Sequence, residues 1–188
     1  RYRLVCGSAT TAIFAAAMTN GTAYDAELST LKETKATADE AVYALAIEDV
    51  KNACDLFADI YSSTNGADGR VSIEVDPRIS DDATATLEQA RELWSKVDRP
   101  NVMIKIPATT GSLPAIEDAL AEGISVNVTL IFSVDRYRDV IEAFRTGLKR
   151  AAEAGKDVSA IHSVASFFVS RLDTEVDKRL EAIGSEIA

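Results

Sequence analysis

One lysine inside an apolar run is the residue of this sequence best suited to chemistry. Lys105 lies between Ile104 and Ile106 in the segment Asn101–Thr109, which reads NVMIKIPAT. An ammonium group in such surroundings loses hydration on folding, and this desolvation lowers the pKa of the amine. A neutral amine attacks carbonyl carbons and forms Schiff bases. The run therefore indicates covalent catalysis, unless the lysine stem only covers apolar surface while its head reaches water past Pro107.

Polar side chains recur on the neighbouring predicted strands. Runs rich in Val, Ile, Phe or Ser predict four strands: Arg70–Val75, Val102–Ile106, Ser125–Phe132 and Ser163–Val169. Side chains on a strand alternate faces, and the face opposite Lys105 is almost entirely apolar. The face shared with Lys105 carries Ser72, Glu74, Asp76, Asn127, Thr129, Ser166, Phe168 and Ser170. An amine, a carboxylate that shuttles protons, and groups that hold a polyol or a water would together form a site.

The carboxylates of this face also have a structural interpretation. A lone acidic residue near a rim more commonly pairs with an arginine than takes part in catalysis. Glu74 or Asp76 could therefore pair with Arg78 or Arg70 instead of facing Lys105.

Three further candidates have similar alternatives. Asn127 and Thr129 could bind substrate, or could only satisfy hydrogen bonds in the interior. Arg171 follows the fourth strand near a predicted helix start, where a guanidinium can grip a phosphate. Its alternative is a surface salt bridge with Asp173 or Glu175.

Helical patterns separate the predicted strands. Five helices are predicted from these patterns and from their capping residues. The first begins with a capping box at Thr37–Glu40, and the others extend over residues 83–97, from Ser112 to Gly123, from Ser133 to Gly155 and from Asp173 to Gly184. Strand followed by helix, without hairpin signals, implies parallel strands joined by crossovers. Trp94 has the spacing of a core residue.

Two parallel architectures fit this pattern, an open doubly wound sheet and a (β/α)₈ TIM-type barrel. The sequence has neither the G-x-G-x-x-G nor the Walker loop expected after the first strand of many doubly wound proteins. Polar residues instead collect toward the carboxyl ends of several strands, as in barrels. A full barrel takes about 250 residues. We therefore expect residues 1–188 to form one domain, an incomplete α/β barrel of about four to five β/α units.

Composition narrows the function. The chain has 188 residues and a net charge of −10, which disfavours binding to nucleic acid or an anionic membrane. Cys6 and Cys54 have no metal-ligand spacing, and the single histidine, His162, has no triad partner. We expect no metal and no cofactor, a packing or hydrogen-bonding role for His162, and, without a signal or membrane segment, a cytoplasmic protein.

The strand motifs resemble those of transaldolase, a class I Schiff-base aldolase, and are closest to the actinobacterial type. The Lys105 segment resembles the active-site lysine segment of that family. The neighbouring motifs follow in order, Val71–Arg78, Ile124–Ser133 and Ser163–Arg171, and the resemblance extends from about Ala12 to Gly184.

The resemblance implies a role for each candidate. Lys105 would be the Schiff-base nucleophile, Glu74 the acid/base acting through a water, and Thr129 the residue that positions this water. Substrate binding would fall to four residues: Asn127 for a hydroxyl, Ser166 and Arg171 for the sugar phosphate, and Phe168 for the pocket wall.

The implied reaction transfers a dihydroxyacetone unit from sedoheptulose 7-phosphate to glyceraldehyde 3-phosphate. It yields erythrose 4-phosphate and fructose 6-phosphate in the pentose phosphate pathway, so the expected partners are sugar-phosphate substrates. The alternatives are a fructose-6-phosphate-type aldolase, and an inactive partial barrel that self-associates through open sheet edges.

The sequence also departs from the family pattern. Ser8–Phe14 lacks the asparagine–proline pair that the family has after its second strand, so a substrate-binding asparagine is missing. The catalytic aspartate of the family's first strand has no counterpart before Arg1, and its last two strands have none after Ala188. The expectation is the middle of a transaldolase with an altered front end.

Overall fold

The computed structural model describes residues 7–9 and 24–184. Two predictions lie outside this range, the one for Cys6 and the one for residues 10–14 of the segment without the asparagine–proline pair.

Within the described residues, five strands form one parallel sheet. They are β1 (Gly7–Ala9), β2 (Val71–Glu74), β3 (Val102–Pro107), β4 (Val126–Ile131) and β5 (Ser163–Phe167). Each strand pairs with the next one in sequence, so the spatial order is β1-β2-β3-β4-β5. A doubly wound sheet reverses its strand order at a switch point, whereas a barrel adds strands sequentially. The fold is an incomplete parallel α/β barrel, as predicted.

Helices connect these strands. They are α1 (Asp25–Glu33), α2 (Ala38–Leu56), α3 (Ala58–Ser63), α4 (Ala83–Val97), α5 (Leu113–Ala121), α6 (Val134–Glu153) and α7 (Val169–Ile183). Short 3₁₀ turns occupy Pro77–Ile79 and Val158–Ala160. None of the helices in this part of the chain is long and apolar enough to cross a membrane.

Local sequence explains most helix boundaries. Thr37 and Glu40 form the predicted capping box at the start of α2. Asp82 caps α4, and Ser133 caps α6 as predicted. Each of these side chains accepts a hydrogen bond from a backbone N–H group that would otherwise be unpaired.

The last helix corrects one prediction. We expected Asp173 to cap it, but α7 begins at Val169, so Asp173 lies inside the helix. Strand β5 ends at Phe167, two residues earlier than predicted, and the chain enters the helix directly after Phe168. Asp173 is the fifth residue of this helix and caps no free N–H group, so the capping preference of aspartate alone did not reveal the boundary.

The core lies between one face of the sheet and helices α2, α4, α5 and α6. Apolar residues of β2, β3 and β4 alternate with the polar ones and pack outward into this layer. Trp94 packs partly buried against it, as predicted. At the α5–α6 contact, a Cβ atom on Gly147 would lie 2.7 Å from the Glu117 carbonyl oxygen, so only glycine permits this close approach.

Strand β5 and helix α7 differ from the rest of the fold, and we refer to them as the open flank. No residue of α7 is buried, although the helix is amphipathic. The exposed apolar residues of the open flank are Val164, Phe167, Val169, Leu172, Val176, Leu180 and Ile183. In the part of the chain that the structure describes, the barrel is open on this side, and the polar face of the sheet lines its interior.

Candidate active site

Lys105 and Glu74 are direct neighbours across two strands. The β2–β3 register pairs Glu74 with Lys105. The Lys105 Nζ atom lies 3.4 Å from Glu74 Oε2, and Lys105 is only 6% exposed. Ile104 and Ile106, on either side of Lys105, are fully buried in the opposite face. The lysine head therefore meets a carboxylate in the interior and does not pass Pro107 to reach water.

The two acidic residues of this region have different partners. Asp76 lies beyond the end of β2, where its carboxylate caps the Pro77–Ile79 turn and lies 2.5 Å from Arg78 Nη2. Hydrogen bonds from Arg78 lower the pKa of Asp76. The rim ion pair predicted as an alternative is therefore made by Asp76, which leaves Glu74 to face Lys105.

Asn127 is held from both sides. It is opposite Lys105 in the β3–β4 register and is mostly buried. Its Nδ2 donates to Ser72 Oγ at 3.1 Å, and Ser166 Oγ donates to its Oδ1 at 2.8 Å. This chain of hydrogen bonds crosses β2, β4 and β5, so the predicted residues Asn127 and Ser166 do lie together. Ser72 was absent from the predicted site, although it shares the parity of Glu74.

Thr129 lies on the same strand as Asn127 and is fully buried. Its Oγ1 has no hydrogen-bond partner among the described residues. A buried hydroxyl without a partner costs about 1–3 kcal/mol, so this group is available to a ligand or a water.

An irregularity of β4 follows Thr129. Leu130 has a left-handed backbone with φ of 60°, and the β4–β5 register shifts between Val128 and Ile131. This is the arrangement of a β-bulge, in which one strand has an extra residue. Because of it, Thr129 keeps the interior parity while Ile131 packs into the outer core. No sequence signal revealed it, since leucine rarely adopts this conformation.

Phe168 and Arg171 lie at the carboxyl end of β5. The Phe168 ring is 5.7 Å from that of Phe132, and the guanidinium carbon of Arg171 lies 4.7 Å from the centre of the Phe168 ring. Among residues 24–184, Arg171 forms no salt bridge, and Glu175, one of its two predicted partners, pairs with Arg179 instead. Arg171 is exposed in the first turn of α7, with its charge free to meet an anion.

Other reactive groups lie away from this arrangement. Burial raises the pKa of the Cys54 thiol to about 12, which leaves it protonated and unreactive. His162 is half-buried, and its backbone N–H donates to Ser125 Oγ. In the described part of the chain, no group of three or more His, Cys, Asp or Glu side chains is arranged to hold a metal ion.

Comparison with known proteins identifies the family of the chain. The sequence model of the transaldolase/fructose-6-phosphate aldolase family matches residues 4–188. The chain is 59% identical over 176 residues to the transaldolase of Mycolicibacterium smegmatis, which covers 94% of this chain and 47% of that protein. The transaldolases of Kocuria rhizophila and Thermobifida fusca are 58% and 57% identical over the same length. The chain thus spans about half the length of these relatives, and it belongs to the transaldolase/fructose-6-phosphate aldolase family.

Proposed function

We propose that the whole protein is a transaldolase that transfers a dihydroxyacetone unit between sugar phosphates through a Schiff base on Lys105. The donor would be sedoheptulose 7-phosphate and the acceptor glyceraldehyde 3-phosphate, as in the pentose phosphate pathway. The observation that carries this proposal is the buried Lys105–Glu74 pair, with 3.4 Å between nitrogen and oxygen. A carboxylate at that distance can take a proton from the amine and return it to a leaving hydroxyl.

The proposed reaction begins when the neutral Lys105 amine attacks the ketone carbon of the donor. Glu74, through a water held by the free Thr129 hydroxyl, protonates the departing hydroxyl, and a water molecule leaves. The Glu74 carboxylate, through the same water, then takes the proton of the hydroxyl next to the breaking carbon–carbon bond, and the iminium accepts the electron pair of that bond. An aldehyde is released, and a three-carbon enamine remains on the lysine. The enamine then attacks the acceptor aldehyde, and hydrolysis of the new iminium frees the product and Lys105.

The remaining residues of the site would hold the substrate. Ser72 and Ser166 orient the amide of Asn127, which suits it to bind a substrate hydroxyl. Arg171 at the rim would bind the phosphate together with Ser166, and Phe168 would form the pocket wall between them. We further propose that residues 1–188 belong to one barrel domain of a cytoplasmic enzyme without a metal or cofactor.

A borohydride trapping experiment tests the nucleophile. We define the hybrid barrel as residues 1–188 joined to the part of the M. smegmatis transaldolase that this chain does not match. With fructose 6-phosphate and borohydride, we expect a three-carbon adduct on Lys105 by mass spectrometry. Lys105→Met should abolish it, while Lys149→Met, a change on the exposed face of α6, should not. An adduct that persists in Lys105→Met would contradict the assignment.

Arg171→Ala in the hybrid barrel tests the phosphate contact. A bidentate guanidinium contact exists only when the ligand has a phosphate. We expect the Michaelis constant for phosphorylated donors to rise at least tenfold, with little change for free dihydroxyacetone. Equal effects on both would show that Arg171 does not bind the phosphate.

The 188 residues alone should have no measurable turnover. Near-attack geometry must be held closely, and small displacements of catalytic groups cost orders of magnitude in rate. Within the described residues, no further strand pairs with β5, so the site is open on that side. A coupled assay on the isolated chain decides this, and turnover near that of the hybrid barrel would show that the flank needs no cover.

Two alternative functions have their own tests. A fructose-6-phosphate-type aldolase would release free dihydroxyacetone, whereas a transaldolase passes it only to an aldehyde acceptor. Self-association is favoured by the exposed apolar stripe of α7. Val176→Lys with Leu180→Lys should then reduce the size measured by sedimentation, while Lys178→Gln should not. A monomeric unmodified chain would count against self-association.

A further inference from the structure

We propose that Arg70 forms an anion-binding site at the amino end of the sheet, which takes a carboxylate through its two free guanidinium nitrogens. Arg70 directly precedes β2, whereas Glu74 ends that strand. Four residues of strand separate the two sites by about 13 Å. The proposed site is therefore independent of the Lys105 chemistry and of the proposed function.

The guanidinium of Arg70 is buried but only partly paired. Arg70 is 7% exposed. Its Nε donates to the Gly66 carbonyl oxygen at 2.8 Å, and its guanidinium carbon lies 5.2 Å from the centre of the Tyr61 ring. Neither Nη1 nor Nη2 has a hydrogen-bond partner among the described residues. Two neighbouring N–H donors on one rigid guanidinium, which we call the Arg70 fork, can bind both oxygens of a carboxylate.

Arg70 is also unusual among the arginines of the described residues, since it is the buried one. Carboxylates pair with most of the others, which lie at the surface: Arg78, Arg91, Arg99, Arg136, Arg138, Arg150 and Arg179. In a chain of net charge −10, the arginine that most needs a counter-ion has none within the described residues. A buried charge without a partner is strongly unfavourable, so this position requires an acceptor.

The side chain of Tyr61 lies beside the guanidinium, but neither Nη1 nor Nη2 meets hydrogen-bond geometry with it, and the other neighbouring polar groups are already paired. Asn101 donates its side-chain amide to the carbonyl oxygens of Cys54 and Gly69. Ser125 Oγ accepts from the backbone of His162. Burial, together with the positive charge of Arg70, lowers the pKa of His162, as expected where the potential is positive. The amino end of the sheet therefore has a positive potential and two unpaired donors, both of which are enclosed by the protein.

The loop before β2 is built around this guanidinium. Gly66 has φ of 78°, and a Cβ atom there would lie 3.1 Å from Arg70 Nη2. Gly69 has φ of 77°, and a Cβ atom there would collide with the backbone of Tyr61. These two glycines let the backbone close over the arginine, which fixes the direction of the fork. A flexible arginine reaching toward water would need neither of them.

Thermal denaturation of the 188-residue chain tests the site with acetate as the probe. Acetate is compared with chloride at equal ionic strength. We expect a saturable rise in melting temperature of about 4 °C at ten times the dissociation constant. Arg70→Met should abolish the rise without lowering the melting temperature in chloride. Arg150→Met should retain it, because Arg150 lies at another surface, where it pairs with Glu117 and Asp118.

Two outcomes would overturn the proposal. One is an equal acetate response in the Arg70→Met variant, and the other is the absence of any response in the unmodified chain. If Arg70→Met does not fold, Gly66→Ala provides the second variant. It keeps the charge but displaces Nη2, and it should weaken acetate binding at least fivefold; unchanged binding would equally overturn the site.

The hybrid barrel distinguishes the two sources of the carboxylate. If an acidic side chain from the added segment fills the site, the hybrid should not respond to acetate and Arg70→Met should lower its melting temperature by several degrees. If the site takes a free carboxylate, the hybrid should respond to acetate as the shorter chain does. A hybrid that is indifferent both to acetate and to Arg70→Met would contradict the site.

Discussion

Helices α6 and α7 have the same amphipathic design but different surroundings. The apolar stripe of α6 packs on α5 and the sheet, with Val140, Ala143, Gly147 and Ala151 buried. The stripe of α7 has the same helical spacing, yet its large residues are 38% to 70% exposed. Amphipathicity thus predicts that a helix needs a cover, but it does not identify the cover.

The strands beneath these helices differ in the same way. All six residues of β3 are buried, since β2 and β4 pair with it on both edges and helices cover its outer face. None of the residues of β5 is fully buried. Among the described strands, β5 is paired only with β4. The burial of a strand's residues therefore depends more on whether both of its edges are paired than on its own sequence.

The sharpest test of this comparison is a matched pair of leucine truncations. Leu120 on α5 is fully buried, and Leu180 on α7 is 38% exposed. Leu120→Ala should reduce the free energy of unfolding by about 3–5 kcal/mol, because it leaves a cavity in the core. Leu180→Ala should change it by less than about 0.5 kcal/mol. Urea denaturation measures both, and equal losses would show that the open flank is covered in solution.

A smaller effect is expected at the α5–α6 contact. Glycine to alanine in the middle of a helix normally stabilises it by about 0.5–1 kcal/mol. At Gly147 the added Cβ atom would lie 2.7 Å from both the Glu117 carbonyl oxygen and Leu120 Cβ. We therefore expect Gly147→Ala to destabilise the protein by about 1–3 kcal/mol. A gain in stability by calorimetry would mean that α6 can move away from α5.

The smallest predicted effect is a pH dependence at the start of β5. Burial and the charge of Arg70 lower the pKa of His162 below 6.5, so the folded state favours the neutral ring. The associated stability is complete above pH 6.5 and is lost as the pH falls through 6.5 toward the folded pKa. We expect a loss of less than about 1 kcal/mol between pH 7 and pH 5. His162→Gln should flatten this part of the profile, and an unchanged slope would assign it to other groups.

Much of the fold could be predicted because its signals are local. The four main strands, the capping box at Thr37 and the helix over residues 83–97 follow from periodicity and capping chemistry. The start of α7 was predicted incorrectly at Asp173, because the residue type that favours a cap does not by itself locate the boundary. The bulge at Leu130 could not be predicted, because the left-handed position is occupied by a leucine and not by a glycine.

For the site, strand parity was sufficient to bring Lys105, Glu74, Asn127, Thr129 and Ser166 onto one face. Parity could not assign partners. Asp76 and Glu74 share a parity, yet one pairs with Arg78 and the other with Lys105, since β2 ends between them. Side chains alternate between faces only within a strand, and Asp76 lies in the loop after β2.

The sequence by itself determined which residues face the interior, because the alternation of side chains is a property of each strand taken alone. It also determined the family, because the lysine segment and its neighbouring motifs are continuous stretches of chain. Only the tertiary structure decided that, among the described residues, the Thr129 hydroxyl and the Arg70 guanidinium have no partners and α7 has no cover. Hydrogen-bond satisfaction and burial depend on residues distant in sequence, which come together only when the strands are in register.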